Sequence, residues 1–296
     1  MSKEYTYEYH AVGDKMEGAN VPFDYVFGFA YNKILYTGQT KFQKIELFDT
    51  PLFGKMLKLD GQFQTSEKDE FFYHEMQVHI PMCSHPKPEK VLIVGAGDGG
   101  ILRNVLMHKT VKKAVMVEID AGVVEFSMKY LTSICGDAFK DKRAQVIIGD
   151  GKKFVEETQD KFDVIILDLT DPIGPSKALY TREFYRKLSG ILNKNGILQL
   201  HDELIITRPK ISKQIYDSLK SVFKYTAPSA NYVPLYGGLM AYCTNSQDID
   251  AAKIDAKTVE KRLNARGVKN LKLYNGDWHE AVFKLPNFLK KLYGQG

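Results

Sequence analysis

The stretch from Lys90 to Asp120 constrains the fold of this chain more than any other. It begins with the apolar run 91–94, which predicts a buried strand, and passes directly into the glycine-rich loop GAGDGG at residues 95–100. Apolar residues at helical spacing follow the loop. A second apolar run then ends in the acid Glu118, roughly 20 residues beyond the loop. Strand, loop, helix, strand and acid in this order predict a nucleoside-binding α/β unit.

The residues inside this loop narrow the class of ligand. In a Rossmann-type site, Gly95, Gly97 and Gly99 would let the backbone turn tightly and approach the ligand, and Glu118 can accept both ribose hydroxyls. Asp98 places a carboxylate where the pyrophosphate of a dinucleotide would lie on backbone N–H groups. This carboxylate favours a nucleoside with a cationic tail, such as an adenosyl sulfonium, over NAD or FAD. A role for Asp98 as the N-cap of the next helix is compatible with that interpretation.

Composition places the chain among ordinary globular proteins. Of its 296 residues 44% are hydrophobic and 26% charged, and the net charge of +5 is mild. The basic residues lack the aromatic interleaving of a nucleic-acid groove, so we expect no nucleic-acid partner. The 3 cysteines lie far apart, which argues against a zinc site and fits a reducing compartment. No apolar run reaches the ~20 residues of a membrane span and no secretory signal is evident, so we expect a cytoplasmic protein with no membrane partner and no metal.

The N-terminal part of the chain has a different hydrophobic pattern. Residues 1–20 resemble a loose lead-in, and from Phe23 short segments of alternating polarity predict an antiparallel sheet that packs on the larger domain or pairs with a second copy. The next segment switches to helical spacing, with Ser66 and Asp69 as a capping pair. We therefore divide the chain into an N-terminal β-strand domain, residues 1–65, serving oligomerisation, and a Rossmann-like catalytic domain, residues 66–296.

Strands and helices alternate beyond Glu118, which predicts an α/β domain with a mostly parallel sheet covered on both faces. Ligands bind such sheets at the carboxyl ends of the strands. The acids predicted to lie there are Asp98, Glu118, Asp150, Asp168 and Asp171. Asp150 and Gly151 can take the exocyclic amine of adenine, or form a plain turn. Asp168 and Asp171 lie at the end of a predicted buried strand, just before a Pro/Gly loop. They indicate a cationic substrate under a lid, or else they cap the next segment.

At family level, the chain resembles the spermidine synthases, or polyamine aminopropyltransferases. The matching stretches are LDGQFQTSEKDEFFYHEM, PKPEKVLIVGAGDGGILRNVL, VEID, GDGKKF, LDLTDPIGP and YNGDWHEAVFKLPNF. This resemblance implies an N-terminal β-sheet domain, a methyltransferase-like Rossmann domain and a homodimer or homotetramer. It also implies transfer of an aminopropyl group from decarboxylated S-adenosylmethionine to a diamine, with release of methylthioadenosine. That donor is a co-substrate, and no cofactor is expected to be bound permanently.

The resemblance also assigns roles to particular residues, which are carried over position by position. Asp168 would be the base, Tyr73 and Asp171 would hold the acceptor amine, and His74 would lie near the aminopropyl chain. From their pattern alone, Tyr73 and His74 have no catalytic role. The implied donor contacts, beside the loop glycines, are Gln43, Gln64, Asp98, Glu118, Ile119, Asp150 and Gly151.

Two departures from the family pattern lie on the acceptor side. When Pro234-Leu235-Tyr236-Gly237-Gly238 is aligned on its glycines, Leu235 takes the slot of an acceptor-contacting tyrosine, beside Tyr236. The segment His201-Asp202-Glu203 also differs from better-known members. These departures leave the acceptor open: putrescine is the default, and cadaverine, agmatine or a longer polyamine are alternatives. A diamine N-methyltransferase is disfavoured by Asp98. A binding protein without catalysis is disfavoured by the set Tyr73, Asp168 and Asp171.

Overall fold

The computed structural model describes residues 3–10, 25–169 and 178–295. The strands are β1 (Glu4–His10), β2 (Tyr25–Tyr31), β3 (Lys33–Gln39), β4 (Lys44–Thr50), β5 (Gly54–Leu59), β6 (Gln62–Ser66), β7 (Lys90–Gly95), β8 (Lys113–Glu118), β9 (Ala144–Ile148), β10 (Phe162–Asp168), β11 (Leu192–Leu204), β12 (Tyr225–Val233) and β13 (Gly238–Ser246). The α-helices are α1 (Phe71–Ser84), α2 (Gly100–Met107), α3 (Ala121–Tyr130), α4 (Thr132–Cys135), α5 (Gly151–Glu157), α6 (Arg182–Gly190), α7 (Pro209–Lys220), α8 (Ala256–Arg266), α9 (Gly276–Val282) and α10 (Asn287–Leu292). None of these helices is long and apolar enough to cross a membrane.

The central sheet places the predicted site at its topological switch point. Its order is β12-β13-β11-β10-β7-β8-β9, with β11 to β9 parallel and β12 and β13 antiparallel. The chain runs outward from β7 through β8 and β9, then crosses to the other side of β7 to form β10. Asp168 at the end of β10 is paired with Gly95 at the end of β7. Ligands of open α/β sheets bind between such strands, and the prediction of a Rossmann-like α/β domain is confirmed.

Both faces of this sheet are buried. Alternate residues of β7 and β10 contribute to two separate apolar clusters. Val91, Ile93, Val164 and Ile166 lie in one, and Leu92, Val94, Ile165 and Leu167 in the other. Helices on each side exclude water, which explains why these strands read as continuous apolar runs.

The N-terminal region forms a four-stranded antiparallel sheet, β3-β4-β5-β6, and a separate β1–β2 pair. The expectation of a loose lead-in over residues 1–20 is wrong for Glu4–His10, which is strand β1. Its alternation is inverted: the tyrosines at 5, 7 and 9 are exposed, whereas Thr6 and Glu8 are buried. The buried Glu8 carboxylate accepts a hydrogen bond from the backbone N–H of Phe63, and Thr6 accepts one from Lys58. These partners stabilise polar side chains that a hydrophobic pattern does not indicate.

The helix α1 follows β6 in the chain and packs against α2 and against β10, β11 and β12 of the central sheet. The predicted capping pair is wrong, because the helix begins at Phe71 and Ser66 instead donates a hydrogen bond to Asp69. The second oxygen of Asp69 accepts from the backbone N–H of Leu235 at 2.8 Å. Asp69 therefore holds the β12–β13 turn against the start of the helix. From Tyr73 to Ser84 every side chain of α1 is buried.

A pair of buried histidines in this core should make the protein less stable in acid. Nδ1 of His79 lies 3.0 Å from Nε2 of His108, and its Nε2 lies 3.2 Å from Oδ1 of Asn104. Burial lowers the pKa of His79 to about 3 and the pKa of His108 well below its usual value. Below about pH 6.5 the unfolded chain therefore binds protons that the folded rings do not. The stabilising contribution is complete above that pH and falls by about 1.4 kcal/mol per pH unit for each ring below it.

Urea unfolding at a series of pH values measures this loss. Because other groups titrate in the same range, the informative quantity is the difference between the wild-type protein and His79→Gln. Below about pH 6.5 the free energy of unfolding of the variant should fall less steeply with decreasing pH. The difference in slope from the wild type should correspond to roughly one proton fewer taken up on unfolding. Parallel pH dependences would show that His79 does not stay neutral in the folded protein.

Candidate active site

The loop after β7 is shaped so that its backbone passes close to β10 and α1. At Gly95, which has φ +88°, an added Cβ would lie 1.9 Å from the backbone oxygen of Asp168. At Gly100 it would lie 2.1 Å from Cε1 of His74. Gly99 also has a left-handed φ, of +77°, and is the N-cap of α2. Side chains at Gly95 and Gly100 would push the loop away from Asp168 and His74, so these two glycines permit the close approach.

Asp98, the acid of this loop, has partners on both oxygens. Oδ1 accepts a hydrogen bond from the backbone N–H of Gly100 at 2.8 Å, and Oδ2 lies 3.1 Å from Nε2 of His74. The side chain remains 12% exposed. The prediction of Asp98 as the N-cap of α2 is wrong, because Gly99 takes that position, although Asp98 does bind the N–H of the first residue of the helix. Asp98 also forms an ion pair with His74 that its sequence neighbourhood did not indicate.

His74 is one of the two cations in a four-membered charge network with Glu70, Asp98 and Arg103. Its Nδ1 lies 2.7 Å from Oε2 of Glu70, whose Oε1 accepts from Arg103 at 2.8 Å. Burial alone would lower the pKa of His74, but the carboxylates of Asp98 and Glu70 outweigh it and raise that pKa to about 10. Burial opposes ionisation of Glu70 as well, yet His74 and Arg103 bring its pKa to about 2. Two carboxylates and two cations therefore balance beside the loop.

Tyr73 and Asp168 form a direct hydrogen bond at the carboxyl end of β10, beside the topological switch point. The hydroxyl of Tyr73 donates to Oδ1 of Asp168 at 2.5 Å. Burial and the adjacent carboxylate hold the pKa of Tyr73 well above its usual value, so the hydroxyl keeps its proton. Burial and the charge of Asp98 raise the pKa of Asp168, while the Tyr73 bond opposes that rise. Asp168 is therefore a more basic carboxylate than one on the surface.

Aromatic rings surround this pair. The ring centroids of Tyr236 and His201 each lie 5.8 Å from that of Tyr73, and the centroid of Tyr242 lies at 6.0 Å. The hydroxyl of Tyr236 donates to the backbone oxygen of Gln64 at 2.7 Å, which links the pair to the N-terminal sheet. His201 is held by a 2.8 Å contact between its Nε2 and the backbone oxygen of Leu169. The segment His201-Asp202-Glu203, which departs from the family pattern, therefore contacts the predicted acceptor side through His201.

The turn before β13 places its two candidate residues differently. Leu235 is only 1% exposed, and its side chain belongs to the apolar cluster of the N-terminal sheet with Phe48, Phe53, Met56 and Phe63. Tyr236 contacts Tyr73 instead. Aligning the turn on its glycines put Leu235 in the acceptor slot. In the structure the Asp69 carboxylate accepts a hydrogen bond from the Leu235 N–H, and the Leu235 side chain lies in the apolar core. Tyr236, not Leu235, therefore lies beside the Tyr73–Asp168 pair.

Glu118, the residue predicted to bind the ribose hydroxyls, lies on the other side of the loop. Its Oε1 accepts a hydrogen bond from the backbone N–H of Asp120 at 2.9 Å. Burial, with smaller contributions from nearby carboxylates, raises the pKa of Glu118 to about 7. A Cβ on Gly97 would lie 3.2 Å from Oε2 of Glu118, so the loop backbone packs closely against this carboxyl group. Ile119 is 48% exposed and lies at the same strand end.

The N-terminal sheet reaches this side of the site through Asp120. Nε2 of Gln43 and Oγ1 of Thr40 donate to Oδ2 of Asp120 at 2.9 and 2.7 Å. Oδ1 of Asp120 caps α3 by accepting from the backbone N–H of Gly122. The side chain of Gln64 donates within its own strand, to the backbone oxygen of Gln62 at 3.2 Å. Gln43 thus contacts the edge of the predicted nucleoside site through an acid.

The remaining predicted residues lie at the end of β9 and beyond β10. Asp150 is exposed and caps α5, accepting from the backbone N–H groups of residues 152 and 153 at 2.8 and 3.2 Å. A Cβ on Gly151 would lie 2.4 Å from Cγ1 of Val94, so this glycine lets α5 start close to β7. Asp171 and the Pro/Gly loop after it lie outside the described residues.

Comparison with known proteins assigns the chain to a family. The model of the spermine/spermidine synthase domain matches residues 70–257, and the model of the spermidine synthase tetramerisation domain matches residues 26–67. The chain belongs to the spermine/spermidine synthase family. The polyamine aminopropyltransferase of Nitrosomonas europaea is 39% identical over 272 residues, which cover 92% of this chain and 84% of that protein. That of Caldicellulosiruptor saccharolyticus is 41% identical over 261 residues, covering 88% of this chain and 91% of the relative.

Solved structures of the family have the same fold. A spermidine synthase in complex with the transition-state analogue AdoDATO superposes with a TM-score of 0.89 at 36% identity, over 99% of this chain and 96% of that one. The spermidine synthase of Thermotoga maritima gives a TM-score of 0.86 at 35% identity, over 99% and 95% of the two chains. The predictions of the family, the fold and an enzyme of the polyamine aminopropyltransferase type are confirmed.

Sequence reasoning missed two members of this synthase-family site. Glu70 precedes His74 by one helical turn, a spacing at which an acid and a base pair on one face, and together with Asp98 it keeps His74 charged. Asp120 stands two residues before Gly122 at the start of α3, the position of a capping aspartate. In the part of the chain that the structure describes, no group of three or more His, Cys, Asp or Glu side chains could hold a metal ion.

Proposed function

We propose that this chain transfers the aminopropyl group of decarboxylated S-adenosylmethionine to a diamine, with putrescine as the default acceptor, and that Asp168 is the base. The products are spermidine and methylthioadenosine. The observation that carries the proposal is the Tyr73–Asp168 hydrogen bond of 2.5 Å, placed at the switch point beside Asp98 in a member of this family. Cadaverine, agmatine and longer polyamines remain alternative acceptors.

Charge supports the choice of donor. The decarboxylated donor has a primary ammonium where intact S-adenosylmethionine carries a carboxylate as well. Asp98 would bind the ammonium, and it would repel a carboxylate at ~4 Å by about 1–4 kcal/mol. Glu118, placed against the loop at Gly97, would bind the ribose hydroxyls. Ile119, Asp150 and the backbone at Gly151 would contact the adenine.

The acceptor must lose a proton before it can react. A primary amine has a pKa of about 10.4, by analogy with lysine, so it arrives as an ammonium without a free lone pair. Asp168, oriented by the Tyr73 hydroxyl, would take that proton. The Tyr236 ring would border the amine. Asp171, predicted to hold it, lies outside the described residues.

The chemical step is then a single in-line displacement. The free lone pair of the amine forms a bond to the methylene next to the sulfonium, and the carbon–sulfur bond breaks with its electron pair moving to sulfur. Methylthioadenosine leaves as a neutral thioether, and the proton of the amine resides on Asp168. Because a sulfonium is already a good leaving group, orientation of the two substrates supplies most of the acceleration.

Assembly into a homodimer or homotetramer is part of the proposal. Residues 26–67 match a domain that is named for tetramerisation. The N-terminal strands expose large apolar side chains, among them Tyr5, Tyr7, Val26 and Ile34. Such a surface is suited to contact with a second copy. The division into domains 1–65 and 66–296 is likewise a proposal, supported by the N-terminal sheet ending at Ser66.

Product analysis tests the proposed reaction. Purified protein is incubated with putrescine and either decarboxylated or intact S-adenosylmethionine, and the nucleoside products are separated. We expect methylthioadenosine with the decarboxylated donor and no S-adenosylhomocysteine with the intact one. S-adenosylhomocysteine would indicate a methyltransferase, and absence of both products with every amine would contradict the proposal. Repeating the assay with cadaverine, agmatine and spermidine, and comparing kcat/KM, identifies the acceptor.

A further inference from the structure

Gln77 is a fully buried amide whose position the proposed mechanism has not used. It follows Tyr73 by one turn of α1 and is 0% exposed. Its Nε2 lies 3.1 Å from the hydroxyl oxygen of Tyr73 and 3.5 Å from the backbone oxygen of Leu167, next to Asp168. Its neighbours in the helix, Met76 and Val78, are apolar and belong to the core.

The orientation of this amide follows from its partners. The single proton of the Tyr73 hydroxyl is donated to Asp168, so the oxygen has only lone pairs to offer. The backbone oxygen of Leu167 is also an acceptor. Both neighbours therefore require the N–H₂ end of Gln77. Oε1 then has no hydrogen-bond partner among the described residues.

An unpartnered buried oxygen is unfavourable for folding, because the group loses its hydrogen bonds to water. A methionine of similar size would fill the same space without that cost. Packing alone therefore does not explain a glutamine here. Its N–H₂ group is the part that makes contacts, and those contacts are with Tyr73 and with the strand end that carries Asp168.

We propose that Gln77 is a positioning residue that holds the Tyr73 hydroxyl in the one rotation that donates to Asp168. Its N–H₂ group occupies a lone pair of that hydroxyl, so the Tyr73 proton cannot turn away from the carboxylate. The inference rests on the proposed function, in which the pair receives the amine. It adds a third member to the pair, one that touches neither substrate.

Gln77→Met tests the inference because it removes the donor and keeps the volume. We expect kcat to fall about tenfold while KM for the donor is unchanged, the loss expected for one positioning hydrogen bond. The acid limb of the kcat–pH profile should move to higher pH, since a less firmly held hydroxyl stabilises the Asp168 carboxylate less. The free energy of unfolding should stay equal or rise. A structural role predicts the reverse, a less stable protein with an unmoved pH profile.

A double-mutant cycle separates action through Tyr73 from a general effect on the site. In a Tyr73→Phe background, Gln77→Met should cause no further loss of kcat. Gln199→Met is the matched control. Gln199 is also 0% exposed, and it binds Thr244 at 2.6 Å instead of the Tyr73 pair, so its removal should leave kcat near wild type. Gln77→Leu, which is also apolar and lacks the donor, replaces Gln77→Met if the latter fails to fold, and the same loss is expected.

A measurement independent of turnover keeps this inference distinct from the proposed reaction. Aspartate labelled with carbon-13 at Cγ is titrated by NMR, and the Asp168 signal is identified by its loss in Asp168→Asn. A rise in the pKa of Asp168 in Gln77→Met supports the positioning role even if the wild-type protein transfers no aminopropyl group. An unchanged Asp168 titration, or additive losses in the double-mutant cycle, would overturn it.

Discussion

Asp168→Asn should abolish turnover while leaving donor binding nearly intact. Asparagine preserves the shape of the side chain and can still accept the Tyr73 hydrogen bond, but it cannot take a proton from the acceptor ammonium. A positioned general base contributes about two to four orders of magnitude in rate, and we expect a loss of kcat in that range. The dissociation constant of decarboxylated S-adenosylmethionine, measured by calorimetry without amine, should change by less than about threefold, because the proposed role of Asp168 concerns the acceptor.

Asp160→Asn is the matched control for this experiment. Asp160 precedes the other end of β10 and forms an exposed ion pair with Lys90 at 2.8 Å. Exposed pairs contribute little to stability, so this variant should fold and turn over like the wild type. Near-wild-type turnover in Asp168→Asn would remove Asp168 from the mechanism. Equal losses of turnover and donor affinity would instead place Asp168 in the donor site.

The central sheet was predictable because its signals are local. Strands β7 and β10 are covered by helices on both faces, so the continuous apolar runs at 91–94 and 164–167 have no competing interpretation. The glycine loop was predictable as well, because close backbone approach requires glycine. Where an added Cβ would lie 1.9 Å from the Asp168 backbone oxygen, as at Gly95, only glycine fits.

Strand β1 was not predictable because its polarity is inverted. Its tyrosines lie outward, and its polar residues face the sheet, where Glu8 accepts a backbone hydrogen bond from Phe63. Alternation alone does not tell which face is buried when the partner strands are remote in sequence. Leu235 illustrates the same limit. The residue that holds its backbone N–H, Asp69, precedes it by 166 positions, so alignment on neighbouring glycines could not place the side chain.

The charge state of His74 also depends on distant residues. Taken alone, a histidine beside a tyrosine is more often packed than charged. Its pKa of about 10 requires the carboxylate of Asp98 from the loop and the carboxylate of Glu70 from its own helix. Arg103 in turn offsets Glu70. The loop acid that indicated a cationic ligand is therefore already paired with a cation, and its effect on the donor has to be judged for the network as a whole.

This balance makes Asp98→Asn a sharp test of donor selection. The substitution removes one negative charge from a set of two carboxylates and two cations, so the loop gains a net positive charge from His74 and Arg103. The ammonium of the decarboxylated donor would lose a charged partner and also meet an unbalanced imidazolium. A charge-assisted hydrogen bond contributes about 1.5–3 kcal/mol, so we expect kcat/KM for this donor to fall roughly 10- to 150-fold.

The opposite change is expected for intact S-adenosylmethionine. In the proposed binding mode its carboxylate would be repelled by Asp98 in the wild-type protein, by about 1–4 kcal/mol at ~4 Å, and would face a positive loop in the variant. The ratio of the two dissociation constants, measured by calorimetry without acceptor, should therefore shift toward the intact donor by roughly two orders of magnitude. Asp137→Asn is the control, since that side chain is 89% exposed and pairs with Lys140. If both variants kept the wild-type ratio, the loop charge would not select the donor, and discrimination would have to arise from the shape of the cleft.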